Sequence, residues 1–191
     1  MGDEAEVEAR RKALEYLRTR GTEAAPSAIH DGVQAAFGAL DALLDRVPAP
    51  LAGRRTLPGE WSVQEIVDHL LETHRAGLDE LRCLLAGQRP PGEAVPASLQ
   101  SKAPLHRPWP WLLAELRRVH ADILGLLAAV PADFATPARA PLVMVVNVPR
   151  EGGRAEPLHW IEELDWKAYA IVWRLHAMDH LHQARRVLAA A

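Results

Sequence analysis

The chain has 191 residues, of which 49% are apolar and 25% charged; this balance excludes disorder and suits one well-filled core. A net charge of -3 with mixed signs leaves no basic stripe for a run of phosphates, so no nucleic-acid partner is expected. The lone Cys83 cannot close an internal disulfide, and no secretion signal or long apolar run stands in the sequence, so the expectation is a cytoplasmic protein without a membrane partner.

Glu4 to Arg20 is rich in Glu, Arg, Ala and Leu, with a weak apolar stripe at Val7, Leu14 and Leu17, and predicts an N-terminal helical arm over residues 1–25. The bundle domain is expected over 26–191. Within it, Ile29, Val33, Phe37, Leu40, Leu44 and Val47 recur at helical spacing until Pro48 and Pro50 end the run. The next helix has the clearest start. Ser62 is a good N-cap, Glu65 is its capping-box partner, and Trp61 and Ile66 occupy the positions of a hydrophobic staple. Its inward face runs through Ile66, His69, Leu70, Thr73, Gly77, Leu81 and Leu84 to a stop near Gly87.

Residues 88–108 carry five prolines and little periodicity, the mark of a long crossover. A third core helix follows from about Trp109 to Val130, with Leu112, Leu116, Val119 and Ile123 inward. The β-branched run between Pro141 and Pro149, followed by a turn at Glu151-Gly-Gly153, predicts a short strand or hairpin, a β insert near 142–156. The last helical stretch is read from Pro157 past Val187, with a break near Asp165. The fold class is therefore all-α: an antiparallel four-helix bundle with a long crossover, an N-terminal helix and a short β insert.

His176 and His180 stand four residues apart, on one helical face, where two imidazoles can share a metal ion. His69, on the inward face of the helix that begins at Ser62, supplies a third nitrogen. Three protein nitrogens leave one position open, the arrangement of catalytic sites. Gln183 shares the face of the pair and is expected to hydrogen-bond a ligand, water or substrate. Each histidine alone reads more readily as a buried core or interface group than as a ligand, and the pair lacks the glutamate of a zinc-protease motif. Asp179 adjoins His180 and reads either as acceptor of a ring proton or as a surface ion-pair partner of Arg186 or Arg75. Trp173, one turn before His176, reads as core packing or as a substrate-lining ring. His74, about 140° around the helix from His69, is assigned to the surface or rim; His182 turns away from the pair, and His120 faces the core.

Two segments, Trp61-Ser-Val-Gln-Glu-Ile-Val-Asp-His69-Leu70 and His176-Ala-Met-Asp-His180-Leu-His-Gln183, resemble the signature stretches of the DinB-like superfamily of metal-dependent four-helix-bundle enzymes. The resemblance covers the chain from about Ser27 to the end. It implies a long-crossover bundle, often dimeric, with a divalent ion on His69, His176 and His180. The chain departs from the pattern where many relatives have a histidine before the last ligand, here Asp179, and Arg-Gly before the glutamine, here Leu181-His182.

The resemblance implies a metal-dependent enzyme, with zinc or nickel as the ion, that transfers a low-molecular-weight thiol to an electrophile or hydrolyses a small molecule. Its partners would be that small-molecule substrate and a second copy of the chain. The alternative is a non-catalytic homodimeric bundle whose metal or histidine cluster is structural or ligand-binding.

Overall fold

The structure is a computed structural model that describes residues 2–22, 24–149 and 155–191. Helix α1 (Gly2–Leu17) runs into a π-helical turn, Arg18–Thr22; α2 (Pro26–Leu44), the short α3 (Ala49–Ala52), α4 (Val63–Leu85) and α5 (Trp109–Ala128) follow. Strands β1 (Ala140–Pro149) and β2 (Ala155–Leu164) precede the last helix, α6 (Trp166–Ala189). Among the described residues no helix is long and apolar enough to cross a membrane.

The core is built from the stripes the periodicity predicts. Ile29, Val33, Phe37 and Leu40 of α2 meet Ile66, Leu70 and Leu81 of α4, Leu112, Leu116 and Ile123 of α5, and Ile171, Ala177 and Leu181 of α6 in one buried cluster. Helix α2 packs on α5 and α6, and α4 packs on the same two. Thus α2 and α4, sequential long helices, stand diagonally across the bundle. Helix α4 is gripped from two sides, which is why 14 of its 23 residues are buried.

Two starts follow local chemistry. At α4 the Ser62 hydroxyl accepts from the Glu65 amide at 3.3 Å and the Glu65 carboxylate accepts from the Ser62 amide at 2.8 Å, a complete capping box. Arg55 binds the same carboxylate and holds it well below the usual range, at about 2. At α6 the Asp165 side chain accepts from the Ala168 amide at 2.9 Å.

That second cap corrects the reading of Pro157 as a helix start. The break near Asp165 is where the helix begins, and Pro157 to Leu164 are strand, paired antiparallel with β1 in the register Asn147↔Pro157, Met144↔Trp160 and Ala140↔Leu164. The β insert thus extends beyond 156. The expected turn at 151–153 lies outside the described residues.

The crossover lies along one row of α4. The Gln64 amide donates to the carbonyls of Pro104 and Arg107 at 3.0 and 2.9 Å. One turn on, the wholly buried Asp68 carboxylate accepts from the Ser101 amide and hydroxyl, each at 2.8 Å, and pairs with Arg107 at 3.0 Å. Gln100 donates to the Glu65 carbonyl at 3.0 Å. These bonds hold the backbone of residues 99–101 against the helix that carries His69.

Candidate metal centre

His69 comes from the second turn of α4, His176 and His180 from successive turns of α6, and the packing of α4 on α6 joins them. One ring nitrogen of each lies within 4.8 Å of the others. The Nε2 of His176 stands 3.0 Å from that of His69 and 3.1 Å from that of His180.

The outer nitrogens decide which inner lone pairs are free. The Nδ1 of His69 is 2.8 Å from the Leu99 carbonyl, which only accepts, so this nitrogen carries the proton. At His180, Nδ1 is 2.8 Å from Oε1 of Gln183, whose amide nitrogen in turn donates to the Glu60 carboxylate at 3.0 Å. The carboxylate orients the amide, the amide fixes the imidazole, and Nε2 is again left as a lone pair.

Burial lowers the pKa of all three imidazoles: His69 below its ordinary value, His176 well below, and His180 to about 4. Neutral rings with converging Nε2 atoms, two of them already held as lone pairs, are what a divalent ion requires. On a tetrahedral ion with bonds of about 2.0–2.1 Å, ligand nitrogens stand roughly 3.3 Å apart, close to the 3.0 and 3.1 Å found. The donor set fits a zinc-type ion with an open position.

His176 and His180 line a cavity of about 760 Å³. Its other walls come from α1 (Ala13, Tyr16), the crossover (Val95, Pro96), β1 (Met144) and α6 (Tyr169, Trp173). Arg10 of α1 binds Glu162 of β2 at 3.0 Å and Tyr16 accepts from Arg174 at 2.9 Å, so arm and hairpin are tied down over the site. No lysine or arginine stands among the described residues lining the cavity.

The remaining expected residues separate. Trp173 is buried and lines the cavity while packing edge-on to Tyr169. Asp179 lines it too, as an exposed side chain whose pKa is raised by the protein around it. It does not take the His180 ring proton, since that nitrogen faces Gln183. Arg186 lies 3.9 Å from Glu60, and Arg75 pairs with Glu72 and Glu115. His182 is exposed.

His74 is not at the rim. It is wholly buried, with Nε2 3.1 Å from Nδ1 of His176 and Nδ1 3.0 Å from Nε2 of His120. Sequence reasoning also missed Glu60 and the Leu99 carbonyl, which no pattern announces. Trp61, read as a staple, packs its ring 5.1 Å from His69 and 6.2 Å from His180.

The fold is that of two solved proteins. TT2238, a four-helix bundle protein, shares 19% identity over 84% of this chain and 98% of its own, with a TM-score of 0.53. YfiT from Bacillus subtilis, described as "a probable metal-dependent hydrolase with an unusual four-helix bundle topology", shares 13% identity over 85% of each chain, with a TM-score of 0.59. No curated protein matches the sequence. The family model of the DinB superfamily matches residues 33–184, which include all three clustered histidines. The chain therefore belongs to the DinB superfamily.

Proposed function

We propose that this protein is a metal-dependent enzyme acting on a small, largely apolar molecule, by hydrolysis or by transfer of a low-molecular-weight thiol. The observation that carries the reading is the position of the histidine cluster. Its Nε2 atoms converge, and two of its three rings form part of the wall of a mostly apolar cavity. A purely structural ion needs no such chamber. YfiT, similar in fold, is described as "a probable metal-dependent hydrolase", which favours hydrolysis of the two reactions.

His69, His176 and His180 would hold the ion, with zinc or nickel suited to an all-imidazole set. A divalent ion there supplies Lewis acidity, making a water or thiol nucleophilic near neutral pH. Leu99 and Gln183 keep two of the imidazoles in the tautomer that points a lone pair inward. Asp179, the acidic side chain in the cavity wall among the described residues, would accept a proton from the nucleophile or orient the substrate. Trp173, Tyr169 and Met144 would exclude water around the substrate's apolar part. With no lysine or arginine among the described residues of that wall, an uncharged substrate is better matched than a multiply charged anion.

The test is turnover by zinc- or nickel-loaded protein against apolar esters and amides, and against low-molecular-weight thiols paired with electrophiles. Turnover by the wild type that falls at least 100-fold in His180→Ala is expected. Full metal loading without turnover of any of these substrates would instead favour a structural ion.

A further inference from the structure

The third clustered histidine differs from the other two in what holds its outer nitrogen. His69 leans on a carbonyl and His180 on an oriented amide, both fixed acceptors. His176 leans on another imidazole. Its Nδ1 meets Nε2 of His74 at 3.1 Å, and Nδ1 of His74 meets Nε2 of His120 at 3.0 Å. The chain stops there: Nδ1 of His120 is buried without a hydrogen-bond partner among the described residues. His74 is fully buried and His120 is 3% exposed. His120 stacks on Phe37 with ring centroids 3.6 Å apart, and Phe37 and Trp173 also flank His74. Burial lowers both pKa values, that of His120 to about 3, so both rings are neutral at physiological pH.

A neutral imidazole has one donor and one acceptor nitrogen, so in a chain of three each ring's tautomer dictates the next. Two arrangements exist. With an ion on Nε2 of His176, its proton must sit on Nδ1, which donates to His74. His74 then carries its own proton on Nδ1 and donates to His120, whose proton is forced onto the unpartnered Nδ1. With no ion, His176 can carry its proton on Nε2, where the lone pairs of His69 and His180 accept it. The other two protons then move to Nε2 of His74 and of His120, and only a lone pair is stranded at the far end.

We propose that His176, His74 and His120 form a two-state tautomeric relay that carries the occupancy of the metal site across the bundle to helix α5. Three protons are present in either state and no ring changes charge. Loading releases one proton at Nε2 of His176, shifts one proton across each of the two ring-to-ring hydrogen bonds, and takes up one at Nδ1 of His120, a buried atom that solvent reaches only when the bundle opens locally. The buried N–H stranded in the loaded state opposes metal binding, because an unpartnered buried donor is costly. His74 is thus a positioning residue for His176, and His120 sets the bias of the relay. This inference rests on the metal-site half of the function proposed above.

The test is nitrogen-15 histidine NMR of the full chain, titrated with zinc, in which two-bond correlations distinguish Nδ1–H from Nε2–H rings. His120 is expected to be Nε2–H in metal-free protein and Nδ1–H at one equivalent of zinc. Zinc-dependent shifts of His69 and His180 with an unchanged His120 tautomer would overturn the relay while leaving the metal site standing. Absence of zinc uptake would overturn both. As a second arm, His74→Phe removes the acceptor for His176 and should weaken zinc binding about 10–100-fold. His74→Gln can place an amide oxygen where Nε2 of His74 stands; because it strands no N–H on His120 it should bind zinc at least as tightly as wild type, yet leave His120 unresponsive to zinc. A His120 ring that still switches in His74→Gln would refute coupling through His74.

Discussion

At His180 one side-chain amide decides which nitrogen is free. Gln183 accepts from Nδ1, and its own orientation is set by Glu60. Gln183→Leu removes the acceptor and lets the ring take the wrong tautomer. The expected result is metal binding weakened about 10–100-fold, read by competition with a coloured chelator, with little change in helix content. Unchanged affinity would mean that the amide does not hold the ring. Gln183 was legible in the sequence because helical spacing sets it on the face of His176 and His180, and His69 because the capping box fixes the phase of α4. His74 was not. An offset of about 140° from His69 points off a single buried stripe, but α4 is packed by α5 and α6 together, and its buried arc is wide enough to hold both rings.

At the scale of elements, α4 and α6 approach closely only because residue 77 is glycine. A Cβ there would stand 2.5 Å from the Trp173 ring. Gly77→Ala gains about 1 kcal/mol in helix propensity but overpacks a buried indole against backbone, at a cost of about 1–3 kcal/mol. The predicted outcome is a lower urea midpoint together with a shifted Trp173 indole resonance; a raised midpoint with that resonance unmoved would contradict the packing described. The crossover was legible as a proline-rich link, but not where it docks, since several of its bonds join Asp68 and Gln64 to backbone carbonyls and an amide that carry no sequence signature. The strand from Ala155 to Leu164 was misread as helix from Pro157 because a proline suits a first helical turn. What decides is its partner: β1 is β-branched, and pairing Val143 with Ile161 and Met144 with Trp160 makes the ladder.

For the whole molecule, the interior places five neutral imidazoles in one bundle, and this couples stability to pH. Folded-state pKa values are lowered by burial for His69, His74, His120, His176 and His180, to about 3 for His120 and about 4 for His180, from 6.5. The unfolded chain therefore takes up protons first as pH falls. Stability from these groups is complete above about pH 6.5 and is lost as the pH drops through 6.5 toward 4 and 3. Glu65, held at about 2 chiefly by Arg55, adds a loss below about 4.5, while Glu80, raised by burial, acts in the opposite sense. Urea midpoints of metal-free protein should fall steadily between pH 6.5 and 4; a flat profile would contradict the neutral cluster.

The three-nitrogen site proposed between α4 and α6 stands or falls on zinc titration calorimetry of the purified chain beside His69→Ala, His176→Ala, His180→Ala and the exposed-site control His182→Ala. One zinc per chain is predicted for wild type and His182→Ala, and loss of that binding in each of the other three. No stoichiometric uptake by wild type, or uptake that survives all three substitutions, would contradict it.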